Sequence, residues 1–432
     1  MNPLSDEECT GCSEYRELSR RQFVGGAVGL TAAAMFPPWL PKVVMASHFA
    51  AARDVMVSIF QRGGADGLSI CAPFADPAYY TARPTIAIPR PDATVVATRG
   101  IALDNFFAFP QAMSGLVPAY QATDLLVIHA TGQLNNSRSH FDAQRYMEVG
   151  KPVDPALVTG WLGRHLASTP PFNAAAPLRA LGVASGLQKT LVGGPKTLPI
   201  ADPSTFNIGG TASTSAERLA LLQADYAAAS EPLRSSALDA ANTVALLQSV
   251  NIAGYVPANG AVYPNSGFGR ALRSVAALIK ADVGIEAAQV DVGNWDTHSG
   301  QDPIAGSMFN TMRDFSNSLA AFYADVVAPA AVGVTLVSLS EFGRNVRENG
   351  SLGTDHGRGT VMLAMGKGIA GGRVVTNGWP GLATANLENG QDLKVTLDYR
   401  DVLAEIVQNR LGNANLSYVF PSWTPTFRGV TR

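Results

Sequence analysis

The chain has 432 residues, 47% hydrophobic and 15% charged, enough to bury a large core in one big domain or two smaller ones. Its formal charge of -2 leaves no basic excess to neutralise phosphates, which excludes a broad electrostatic footprint for nucleic acid.

The first 52 residues differ in kind from the rest. Arg20 and Arg21 precede Gln22 and Phe23, and the stretch that follows carries no charge before Lys42. It is rich in Gly and Ala and broken by Pro37, Pro38 and Pro41, whereas a membrane span needs about 20 strongly apolar residues. Ala46, Ala50, Ala51 and Ala52 then offer a cleavage site. The stretch resembles a twin-arginine export signal, although the leader before Arg20 is acidic (Asp6, Glu7, Glu8, Glu14, Glu17). The resemblance implies handling by the twin-arginine translocase, loss of residues 1–52, a bacterial periplasmic or otherwise exported protein, and no stable membrane span after cleavage. Cys9 and Cys12 would leave with the signal, so Cys71 is expected to stand alone as a small buried hydrophobe.

Residues 54–60 (DVMVSIF) read as a first buried strand. It breaks into Gln61, Arg62, Gly63, Gly64, Ala65 and Asp66, a glycine-rich turn that can bring a carboxylate close to a metal or anion. A plain turn using the Asp66 side chain explains the same residues. Residues 73–91 look like a long irregular excursion over the sheet. Residues 124–129 (DLLVIH) read as a second strand, and Asn135, Asn136, Ser137 and Ser139 supply N-cap chemistry for a helix running to about Met147. Ser139 and His140 fall in its first turn, where free N–H groups and the helix dipole favour an anion; the bland alternative is that Ser139 only caps.

Residues 161–165 begin or continue a helix, 178–200 read as short strands and turns, and 213–250 carry helical spacing for one or two helices inserted over the sheet. Residues 257–269 read as a loop and 270–282 as an amphipathic helix. The strand 287–292 (AAQVDV) ends in GNWDTHSGQ, where Asp296 and His298 flank one residue at a spacing suited to one cation. A helix over 309–322 precedes the strand 334–339, which delivers Ser340, Glu341 and Arg344. A Gly/Asn-rich loop leads to Asp355 and His356 before the strand 361–365, and an apolar-periodic helix over 399–411 closes the chain. This alternation predicts an α/β fold: a three-layer α/β/α sandwich on a mostly parallel sheet, one domain over 53–432 with a helical insertion at about 213–250.

The chain has six histidines, and His298 and His356 each have an aspartate within two positions, each after a predicted strand; Asp66 follows a third strand. Three such loops meeting at one sheet edge make an oxygen and imidazole cage for a divalent ion, zinc or manganese sooner than calcium. RGGADGL (62–68), SHFDAQ (139–144), WDTH (295–298), SEFGR (340–344) and DHGRG (355–359) together resemble the DUF1501 family, grouped with the alkaline phosphatase and sulfatase superfamily. That resemblance implies an alkaline phosphatase-like fold. It implies Asp66 as the first-strand metal aspartate and Ser139, or failing it Ser137, as a nucleophile at a helix start. It also implies Asp296, His298, Glu341 and His356 as further metal ligands, with Asp355 in a rival alignment. The activity implied is hydrolysis of phosphate or sulfate esters, small or polymeric, with His140, Arg62, Arg344 or Arg358 holding the anion. A non-catalytic envelope binding protein on the same scaffold, or an isomerase or transferase, is the alternative.

Overall fold

The structure, a computed structural model, describes residues 53–432; Arg20, Arg21, Cys9, Cys12 and the expected export signal lie outside the described residues. Nine strands make one sheet: β1 (Val55–Gln61), β2 (Leu125–Gly132), β3 (Ala180–Val183), β4 (Thr197–Pro199), β5 (Ala287–Val292), β6 (Val334–Leu339), β7 (Thr360–Met365), β8 (Arg373–Val375) and β9 (Leu397–Asp398). β1, β2, β6 and β7 are buried at every position, as near-continuous apolar runs must be when both faces of a sheet are covered.

The strand order is β8-β2-β7-β6-β1-β5-β3-β4, with β9 also against β2. Every pairing is parallel except those of β7, which runs against both β2 and β6. This single reversal decides where the site forms. The carboxyl ends of β2, β6, β1 and β5 and the amino end of β7 open on the same rim of five adjacent strands.

Helices cover both faces: α1 (His140–Val149), α2 (Trp161–Ala167), α3 (Ser215–Ala227), α4 (Leu233–Val250), α5 (Gly267–Lys280), α6 (Ser307–Phe322) and α7 (Tyr399–Asn409). Successive β1 side chains point to opposite faces. Val57 and Ile59 pack with Leu272 and Val275 of α5 and Phe315 and Leu319 of α6. Met56 and Phe60 pack with Leu162 of α2 and Val402, Leu403 and Ile406 of α7. α3 and α4 share a small cluster of Leu219, Ala241 and Val244, while Leu246 and Leu247 of α4 reach the main core.

The excursion over 73–91 contains a helical turn, Pro77–Ala82, that a loop reading passes over. Its start is built from Asp76, whose carboxylate accepts from Ala78 N at 3.0 Å, and from Pro77 at the first helical position. Cys71 is free and buried. Among the described residues no helix is long and apolar enough to cross a membrane.

Candidate metal centre

The rim becomes a site because glycine lets its loops close on one another. Gly63, just past β1, has φ of 119°, and a Cβ there would lie 2.7 Å from Asp296 N. Only glycine allows the β1 turn to lie this close to the loop after β5 that carries Asp296. On the next strand α1 starts at His140, with Ser139 as its N-cap and Gly150 ending it in the left-handed region. His140 therefore sits at the amino end of a helix aimed at the rim, and His298 and His356 reach it from the loops after β5 and before β7.

His140, Asp296 and His356 each bring one ligand atom to within 4.8 Å of the others. His298 joins them: its Nε2 lies 3.0 Å from His356 Nε2 and 3.1 Å from Asp296 Oδ1. His356 Nε2 is 3.4 Å from Asp296 Oδ1, and His140 Nε2 is 3.5 Å from Asp296 Oδ2. Donors about 2.0–2.2 Å from a shared cation stand about 2.9–3.5 Å apart along the edges of their polyhedron. The four separations match.

The far nitrogen of each ring is already held. His140 Nδ1 donates to Glu341 Oε1 at 2.8 Å, His298 Nδ1 to Asp355 Oδ1 at 3.0 Å, and His356 Nδ1 to the Arg138 carbonyl at 3.0 Å. Acceptors on all three Nδ1 atoms fix the tautomer, so in the neutral rings every Nε2 presents a lone pair inward. The Nε2 lone pairs of His298 and His356 then repel at 3.0 Å unless a cation lies between them. His140 Nε2 is buried with no hydrogen-bond partner.

The carboxylates are tuned to stay ionised. Burial opposes the charge on Asp296, but Arg344 donates to its Oδ1 at 2.5 Å and holds its pKa below the usual carboxylate range. Burial also opposes the charge of Glu341, and His140 and Gln144 outweigh it, again lowering the pKa. The hydrogen bond from His298 lowers Asp355, and the hydrogen bond to Glu341 raises His140. Burial lowers His356.

Several residues expected in the cage hold it from outside instead. Asp66 is not a member: Arg83 grips both its oxygens, at 2.5 and 2.9 Å, and Ser69 and Gln301 add hydrogen bonds. Burial opposes its charge and Arg83 keeps it ionised. Gln301 passes this anchor on, because its Oε1 accepts from Thr297 and Thr354, the neighbours of Asp296, His298 and Asp355. Glu341 and Asp355 bind histidine rings, with the meeting point occupied by the three imidazoles and Asp296. His140, expected to hold an anion, is one of those imidazoles.

The three arginines expected to clamp an anion are committed elsewhere. Arg62 pairs with Glu148 and Asp291. Arg344 donates to the carbonyls of Gly63, Gly64, Trp295 and Thr354 as well as to Asp296. Arg358 pairs with Glu388 and donates to the Gln133 and Leu134 carbonyls. Ser139 Oγ accepts from Asp142 N at 3.5 Å and Ser137 Oγ from Ser139 N at 3.3 Å, so both serines shape the turn into α1.

Residues 153–410 match the family described as a protein of unknown function, DUF1501, over more than half of the chain. The chain belongs to the DUF1501 family. No curated protein and no solved structure matches it. The DUF1501 match takes in Asp296, His298, Glu341, Arg344, Asp355 and His356; β1, β2 and His140 precede it.

Three contributors to this site carried no clear signal in the sequence. Arg83 lies 17 residues beyond Asp66 with no periodicity linking them, and no motif encodes the Arg138 carbonyl on His356 Nδ1 or the Asn349 amide, which donates to Asp355 Oδ1 at 3.2 Å. Gln301 was findable: it ends the same WDTH-containing segment, three residues past His298.

Proposed function

We propose that this protein is an exported, metal-dependent ester hydrolase whose centre is His140, Asp296, His298 and His356. The observation that carries the reading is the shared orientation of the three imidazoles, each fixed through Nδ1 with Nε2 facing the others. Charge agrees. With neutral histidines, the three carboxylates Asp296, Glu341 and Asp355 against the single Arg344 leave a local charge of minus two, which one divalent cation cancels.

Imidazole and carboxylate donors suit zinc or manganese. Such an ion supplies Lewis acidity, lowering the pKa of a water in an open position and polarising an ester oxygen. The chain's own residues do the rest. Glu341 and Asp355 hold the His140 and His298 rings in register, Arg344 orients the Asp296 carboxylate, and Asp66 with Gln301 braces the two loops beneath. Asp296 and His298 are about half exposed, so water and substrate can reach the centre.

Export rests on the sequence around Arg20 and Arg21. The hydrolase reading is tested by stripping the purified mature protein with chelator, measuring ester turnover, and reloading zinc or manganese. Turnover lost on stripping, restored by one equivalent of metal, and absent from His298→Ala and His356→Ala supports it. Unchanged turnover in the stripped protein removes it, and tight metal binding with no turnover favours a binding protein.

A further inference from the structure

We propose that the ester taken by this centre is uncharged and carries an apolar group. This rests on the hydrolase reading above and narrows its substrate. Two independent observations point there.

The first is electrostatic. A phosphate or sulfate monoester needs cationic donors beyond a single ion whose charge the carboxylates already cancel. Arg344 is fully buried against carbonyls and Asp296, Arg358 is matched by Glu388, and Arg138 is matched by the buried Asp392. Asp142, exposed in the first turn of α1 two residues past His140, adds a negative charge not counted in that balance. An anionic ester is disfavoured there, and a neutral one is not.

The second is the composition of the rim. Phe141, adjacent to the ligand His140, is 89% exposed, and Leu134 and Leu352 are 54% and 49% exposed. All three lie on the segments that build the centre. Phe141 is the second residue of α1, and helical side chains lean toward the amino end, which here is the rim. The Leu134 carbonyl accepts from Arg358, and the Leu352 carbonyl accepts from Gln301 N at 2.8 Å, so both leucines stand on backbone tied to the site. Exposed apolar side chains on the segments that carry a polar centre suit a substrate with an apolar body and one scissile polar bond. In the reaction the oxygen of water bonds to the acyl carbon and the acyl carbon–oxygen bond breaks. One proton of that water goes to the leaving alkoxide and the other to solvent.

The test uses the zinc-reloaded mature protein with p-nitrophenyl butyrate, p-nitrophenyl phosphate and p-nitrophenyl sulfate. The butyrate is expected to have kcat/KM at least about tenfold above either anionic ester. Phe141→Ser should raise KM for the butyrate about tenfold, the scale of a lost apolar contact in a pocket, with zinc content unchanged. Leu352→Ser should move KM the same way. Preference for the phosphate or sulfate, or an unchanged butyrate KM in both variants, overturns the substrate assignment while leaving the hydrolase reading intact, and zinc binding with no turnover of any of the three overturns both. A protein that takes up no zinc or manganese overturns the hydrolase reading itself, and this assignment with it.

Discussion

The most informative substitution is Glu341→Gln. Glu341 is fully buried, and its Oε1 accepts from His140 Nδ1 at 2.8 Å, Gly63 N at 2.9 Å and Gln144 Nε2 at 2.9 Å. Glutamine keeps the volume and one acceptor oxygen, and its amide nitrogen can donate to Ser340 Oγ, which lies 3.1 Å from Oε2. The change thus removes charge with little change of shape. Losing a carboxylate that orients a ligating imidazole typically costs 10–100-fold in metal affinity, or about 1.4–2.7 kcal/mol. Asp355→Asn removes the equivalent partner of His298, but that side chain is 56% exposed and water can replace it. Its effect should be several times smaller. Competition against a chromophoric chelator near neutral pH measures both, with near-ultraviolet circular dichroism checking the fold. Equal losses in the two variants, or an unchanged affinity in a folded Glu341→Gln protein, would show that the buried Glu341 carboxylate does not orient a ligating ring.

Asp66→Asn should leave metal affinity nearly unchanged but destabilise the protein by about 3–5 kcal/mol, because it strands the fully buried Arg83 guanidinium; denaturant unfolding checks this, and a metal-affinity loss without a stability loss would return Asp66 to the ligand set. Ser139→Ala should cost about 1 kcal/mol of stability as a lost helix cap and leave ester turnover largely intact, whereas a collapse of turnover would make Ser139 the nucleophile. His129 is fully buried between the Cys71 carbonyl and Ala130 N, and burial pushes its pKa down to about 4. The unfolded chain takes up that proton near pH 6.5 and the folded one only near 4. Its contribution is therefore complete above the unfolded value and is lost as pH falls through this window, by up to about 3 kcal/mol. In His129→Gln the gap between the unfolding free energies at the two ends of the window should narrow by that amount, with buried His165, which burial lowers to about 3, keeping a remainder; an unchanged pH dependence in that variant would assign the effect elsewhere.

Much of the fold was legible because its strands are long apolar runs. Residues 287–292 and 334–339 match β5 and β6 to the residue, and 54–60 misses β1 by one position at each end. The reversal of β7 was not legible, since a buried strand reads alike in either direction, yet it alone brings His356 to the rim where His298 lies. In the site the segments were visible and the roles were not. The pair Asp296 and His298 stood out by spacing, but spacing cannot tell a ligating carboxylate from one that orients a ring, as with Glu341. Asp66 misled for a similar reason: an acid on a glycine-rich turn suits a metal, and only the fold brings Arg83 onto it.

What surrounds a bound ion decides whether His140, Asp296, His298 and His356 form a metal centre. X-ray absorption at the metal edge of the zinc-reloaded protein reads this directly. Three imidazole rings and at least one carboxylate oxygen, with nearest donors at about 2.0–2.2 Å, are predicted; a shell of water oxygens alone, or one that persists in the His298→Ala, His356→Ala double variant, would contradict it.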